Sequence, residues 1–99
     1  MLREITEKEF YKFVGQEKAI VEFYSPVCSP CKKIEPILFQ NSLKTGIPVA
    51  KINALEAPQL CQEYCITGVP TLFFFKYGKL AKELRGAVSG EKINGFFYY

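Results

Sequence analysis

Two short blocks of the chain are apolar almost throughout, Ala19-Ile-Val-Glu-Phe-Tyr24 and Thr71-Leu-Phe-Phe-Phe-Lys76. Both are rich in β-branched or aromatic residues, and runs of this length and kind predict buried strands. Elsewhere the apolar spacing is helical. Ile34, Ile37 and Leu38 stand at i, i+3 and i+4, which predicts a core-facing helix that starts near Cys28 and ends before Gly46-Ile47-Pro48. Pro36 lies inside it and is expected to kink it, because its ring meets the carbonyl four residues back. A helix from Glu7 to Val14 is predicted from Phe10, Phe13 and Val14 on one face, with Gly15 as its stop. Thr6 and Glu9 have capping-box spacing there, and Ile5 and Phe10 that of a hydrophobic staple. Leu2–Ile5 and Pro48–Asn53 read as further strands, and Pro58–Tyr64 as a short helix. Leu80–Arg85 pairs back on Thr71–Lys76 as a hairpin through Tyr77-Gly78. Ser89 caps a last helix, with Val88 and Ile93 again at staple spacing and Phe96 and Phe97 as its apolar contacts. Strand and helix alternate early, then a hairpin and a final helix follow. That order implies an α/β fold, a mixed central sheet flanked by helices.

Composition narrows the function. At 99 residues the chain is expected to form a single domain, 1–99, and 48% hydrophobic content is enough to fill its core. The net charge of +3 is small, and no run of five like charges occurs, so no nucleic-acid partner is expected. Histidine is absent, which removes the usual general base. No segment reaches the ~18–20 apolar residues that cross a bilayer. Met1-Leu-Arg-Glu-Ile-Thr-Glu7 lacks the charged-then-apolar order of a signal sequence. The expectation is a cytoplasmic protein in a reducing compartment, where four cysteines do not read as a disulfide scaffold.

The cysteines carry the chemistry. Cys28-Ser29-Pro30-Cys31 falls at the turn from the first apolar strand into the long helix. Unpaired N–H groups and the dipole at a helix N-terminus favour negative charge, so a cysteine there is held partly as thiolate. Cys28, at the edge, is expected to be exposed and nucleophilic, with Cys31 one turn on as the resolving thiol. Cys28 would attack a substrate disulfide, and Cys31 would cleave the mixed disulfide that results. The spacing also admits a zinc site built from Cys28, Cys31, Cys61 and Cys65. That alternative leaves Pro30, Pro70 and the strand pattern without a role. Glu22 is a lone acid in an apolar strand, a costly placement unless it is paired, protonated or turned outward at a strand edge.

Cys28-Ser-Pro-Cys31 with Lys32 and Pro36, Val49-Ala-Lys-Ile-Asn53, Gly68-Val-Pro-Thr71, the strand to Lys76, Gly78 and Gly86 together resemble the thioredoxin family in order and approximate spacing. The resemblance runs from about Ala19 to Ser89. It implies the thioredoxin fold and a protein-disulfide reductase with no cofactor of its own. It further implies a monomer that takes electrons from a flavin- or ferredoxin-linked thioredoxin reductase and passes them to disulfide-containing proteins. A disulfide oxidase or isomerase shares the motif and differs in potential. A redox-sensing or binding module without turnover is a third reading.

By the same resemblance Glu22 takes the place of the family's buried aspartate, which exchanges the proton of Cys31, and Lys51 is the lysine that pairs with it. Pro70 becomes the cis-proline facing the disulfide, and an X–Pro bond adopts cis at modest cost. An ordinary trans-proline turn is the alternative. Val69 would offer its backbone to an extended substrate. Val27, Val69, Pro70, Gly86 and Ala87 would form the substrate rim. The chain departs from the family in having no tryptophan, with Tyr24 and Val27 at the usual positions, and Ser29 for the usual glycine. Cys61 and Cys65 lie outside the resemblance. Four apart on or just past a short helix, their Cα atoms would be about 6 Å apart with parallel Cβ vectors, so closure is strained. Two free thiols are expected, Cys61 buried and Cys65 nearer the surface.

Overall fold

The computed structural model describes residues 2–98, so Met1 and Tyr99, the ends of the expected domain, lie outside the described residues. Among the described residues five strands form one sheet: β1 (Arg3–Glu4), β2 (Lys18–Tyr24), β3 (Val49–Asn53), β4 (Thr71–Lys76) and β5 (Lys79–Arg85). Their order across the sheet is β1-β3-β2-β4-β5. β1, β3 and β2 run parallel, whereas β4 is antiparallel to β2 and β5 to β4. Parallel neighbours need a crossover. The helix α1 (Phe10–Val14) lies between β1 and β2, and α2 (Ser29–Thr45) between β2 and β3. The helix α3 (Pro58–Glu63) precedes β4, and α4 (Gly90–Phe96) follows the hairpin.

Strand alternation sorts the core into two layers. Ala19, Val21 and Phe23 of β2 pack with Phe10, Val14, Leu60, Phe73 and Phe75 on the face covered by α1 and α3. Ile20 packs with Ile34, Leu38, Val49, Leu72, Phe74, Ile93 and Phe96 on the face covered by α2 and α4. Both faces of β2 and β4 are therefore dry, which is why these two strands read as unbroken apolar runs. Glu22 shares the α2 face by its place between Ile20 and Tyr24. It is fully buried, not at an edge.

Several local expectations hold with small changes of boundary. Ser89 Oγ accepts the Lys92 N–H at 3.2 Å, and the Thr6 N–H donates to Glu9 Oε1 at 2.9 Å. The predicted helix from Glu7 is a 3₁₀ turn over Glu7–Glu9 that passes into α1. Helix α2 is continuous through Pro36. Pro36 has no N–H for the Lys32 carbonyl, yet the bonds on either side and the buried Ile34 and Leu38 carry the helix onward. Gly46, at φ 75°, ends α2 in the left-handed region, with its N–H on the Ser42 carbonyl. Tyr77 (φ 50°) and Gly78 (φ 81°) are both left-handed, as the tight turn of a two-residue hairpin requires. A contact invisible in the sequence locks α4 to α2: buried Asn41 donates from Nδ2 to the Ile37 carbonyl at 2.9 Å and to Asn94 Oδ1 at 2.8 Å.

Candidate active site

Strand β2 leads through Ser25-Pro26-Val27 to Cys28, which caps α2 from its N-terminal end. The Cys28 N–H donates to the Ser25 carbonyl at 3.1 Å, and Cys28 Sγ accepts the Cys31 N–H at 3.2 Å. Pro30 falls in the first turn, where a missing N–H costs no helical bond. Cys28 and Cys31 are joined as a disulfide, with their Cα atoms 5.3 Å apart. Cys31 is fully covered, but Cys28 is also nearly so, at 8% exposure, against the expectation of an exposed cysteine. Bonding turns its sulfur inward toward Cys31, so Val27, 90% exposed, takes the surface beside it. Cys28 remains the more accessible of the two and the one at the positive end of the 17-residue helix.

The loop before β4 shares a hollow with the start of the disulfide loop, Gly68 and Val69 lining it with Ser25. The Val69–Pro70 bond is cis. Thr71 Oγ1 donates to the Gly68 carbonyl at 2.8 Å, closing this turn. Gly86 donates its N–H to the Pro70 carbonyl at 2.9 Å. Its φ of 87° is a conformation that a side chain would strain. The structure thus brings Val69, Pro70 and Gly86 together: Val69 and Gly86 line one hollow with Thr67, Gly68, Thr71 and Arg85. Val27 and Ala87 stand exposed on the segments next to Cys28 and Gly86.

Under α2 lies Glu22. Both of its carboxyl oxygens are buried, and neither has a hydrogen-bond partner among the described residues. Burial first, and the Glu35 carboxylate second, push its pKa up to about 9, while Lys51 opposes them. Lys51 sits directly beside Glu22 in the β2–β3 register. Its ammonium, however, does not pair with Glu22 as the resemblance implied. Lys51 Nζ is 3.2 Å from Glu35 Oε1 and 4.8 Å from the centre of the Tyr24 ring. The physical reason is solvation. Both partners of the Lys51–Glu35 pair keep 19% of their side-chain surface exposed, whereas a Lys51–Glu22 pair would strip water from two charges. Glu35 was missed in the sequence, although it stands four residues after Cys31 and so on the same face of α2.

Cys61 and Cys65 are both free thiols. Cys65 is exposed as expected. Cys61 is only half-buried, not fully, with its thiol directed at the Ala54 carbonyl, 3.6 Å away. Burial pushes the Cys61 thiol pKa up. Among the described residues no group of three or more histidines, cysteines or acids gathers to hold a metal, so the four-cysteine zinc set does not assemble. Cys65 ends the short helix at φ 53°, while Arg85 ties its carbonyl (2.8 Å) and that of Tyr64 (3.1 Å) to β5. A left-handed residue with a Cβ is strained. Cys65→Gly is therefore expected to raise stability by about 0.5–1 kcal/mol. Urea unfolding of the oxidised protein reads this directly, and a loss of stability would place the cost elsewhere.

The thioredoxin family model matches residues 1–98. A thioredoxin of Acidithiobacillus ferridurans is 39% identical over 84 residues, covering 83% of this chain and 78% of that protein. A Medicago sativa protein described as probable protein disulfide-isomerase A6 is 37% identical over 98 residues, covering 93% of this chain. The chain spans only 27% of the length of that relative. Among solved structures, a thioredoxin of Plasmodium falciparum superposes with a TM-score of 0.88 at 26% identity, over 97% of this chain and 96% of that one.

Proposed function

The chain belongs to the thioredoxin family, and from that premise we propose that it is a thiol–disulfide oxidoreductase that reduces protein disulfides through Cys28 and Cys31. The observation that carries this reading is Cys28 at the N-cap of α2, bonded to a buried Cys31 one turn later. In the reduced protein the Cys28 thiolate attacks a substrate disulfide. One substrate sulfur leaves as thiolate, and Cys28 is joined to the other. Cys31 gives up its proton to Glu22 and attacks Cys28 Sγ, which releases the second substrate sulfur. Two electrons have passed to the substrate, and the protein is left with the Cys28–Cys31 disulfide. A reductase, flavin- or ferredoxin-linked, returns it to the dithiol.

The remaining roles follow the same premise. The Val69 backbone would pair with an extended substrate segment beside Pro70, and Val27, Gly86 and Ala87 would complete the rim. Lys51 pairs with Glu35 at the rim and acts on Glu22 only through its charge. The protein acts as a monomeric single domain, in the cytoplasm, with no bound cofactor. Among the described residues no helix is long and apolar enough to cross a membrane.

A second reading, disulfide isomerase, is favoured by the Medicago relative's description and differs in potential. The Cys28–Cys31 potential measured against glutathione is expected near the ~ −270 mV of thioredoxins, whereas a value near ~ −180 mV would favour the isomerase. Multiple-turnover reduction of a protein disulfide excludes a mere binding module.

A further inference from the structure

Glu22 is fully buried, and its two oxygens lack hydrogen bonds among the described residues. Lys51, the cation set beside it in the sheet, reaches past it to Glu35. Two carboxyl groups therefore share the surroundings of one ammonium, one carboxyl in the core and the other at the rim. We propose that Glu35, paired with Lys51 at the rim, withholds that cation from Glu22 and so keeps the buried Glu22 as the acid. Glu35 is a positioning residue that sets the pH at which Glu22 can accept the proton of Cys31.

The surroundings leave few other groups to do this. From α2, the charge that acts on Glu22 is Glu35, while Lys32 and Lys33 are exposed. From β3 the facing group is Lys51, and from β4 the paired residue is Leu72, which carries no charge. On β2 itself Tyr24 lies under the Lys51 ammonium and donates a hydrogen bond from its hydroxyl to Glu4. A buried carboxyl with no cation of its own holds its proton, and the Glu35 charge beside Lys51 adds to that effect on Glu22.

The consequence for chemistry rests on the redox reading above. When an incoming thiolate opens the disulfide at Cys28, a new S–S bond forms there and Cys31 leaves with the electron pair. Glu22, held as the acid, supplies the proton that makes Cys31 a thiol, and then regains one from solvent. In the resolving direction Glu22 must first be ionised, so that step quickens as pH rises through the midpoint of Glu22.

The test is a carboxyl-carbon NMR titration of the oxidised protein, in wild type, Glu35→Gln and Lys51→Met. Glu35→Gln removes the competing anion and frees Lys51, so the Glu22 midpoint should fall by at least about one pH unit. Lys51→Met should move it the other way. Alongside, the Cys28 mixed disulfide with thionitrobenzoate is resolved by Cys31 in a Cys61→Ala/Cys65→Ala background. The rising limb of that rate with pH should move to lower pH in Glu35→Gln. A Glu22 midpoint unmoved in Glu35→Gln, or lowered in Lys51→Met, overturns the role given to Glu35. Failure to turn over protein disulfides leaves the titration intact and counts only against the functional reading.

Discussion

Cys28→Ser is expected to abolish turnover, with a loss of at least ~10³-fold, because the hydroxyl at the N-cap has no accessible anion to replace the thiolate. Cys31→Ser should lose turnover as completely but by a different route. Cys28 in that variant still attacks, and with no resolving thiol the mixed disulfide persists. Mass spectrometry of the two variants after exposure to a protein disulfide separates them: covalent adducts for Cys31→Ser and none for Cys28→Ser. Iodoacetamide should likewise modify Cys28 of the reduced protein well before Cys31. The 8% exposure of Cys28 against none for Cys31 is a narrow difference. The order therefore rests more on the helix terminus than on access. Adducts in Cys28→Ser, or faster labelling of Cys31, would reverse the two roles.

Glu22→Gln is expected to slow turnover roughly 100-fold and at the same time to stabilise the fold, the two effects having one cause. The native protein raises the Glu22 pKa to about 9 from an ordinary 4.5. The native state thus holds a proton that the unfolded chain releases. The sign follows: wild-type stability is full below the ordinary carboxyl range and falls as pH rises toward the native value. At neutral pH this amounts to roughly 3 kcal/mol, which glutamine, having no proton to lose, does not forfeit. The advantage of Glu22→Gln in urea unfolding should therefore be small at pH 5, grow through pH 8 and level off above the native midpoint. An equal advantage at both pH values would mean that ionisation of Glu22 is not what the wild type loses. Unchanged turnover would remove Glu22 from the proton path.

Much of the fold was legible because its signals are local or strictly periodic. β2 and β4 are dry on both faces, and their unbroken apolar runs follow from that. The hairpin needed two left-handed residues, and Tyr77-Gly78 supplies one of them as glycine. The caps at Thr6 and Ser89 are bonds between residues three apart. The Cys28–Cys31 pair was equally plain, since its chemistry depends on one helix terminus that the strand-to-helix switch announces.

What stayed hidden depends on where distant segments meet. Burial of Cys28 is set by the direction its sulfur is turned, and spacing does not encode that. Asn41 and Asn94 are 53 positions apart and meet only because α4 lies across α2. The partner of Lys51 is the sharpest case. The sequence by itself put a lone acid into an apolar strand, and the family resemblance put a lysine on the strand beside it; neither fixed whether that acid is buried. Only the tertiary structure decided which carboxylate that lysine serves. A four-carbon stem can reach either one, and the choice falls to Glu35 at the rim, where two charges keep part of their water, over Glu22 in the core, where they would keep none.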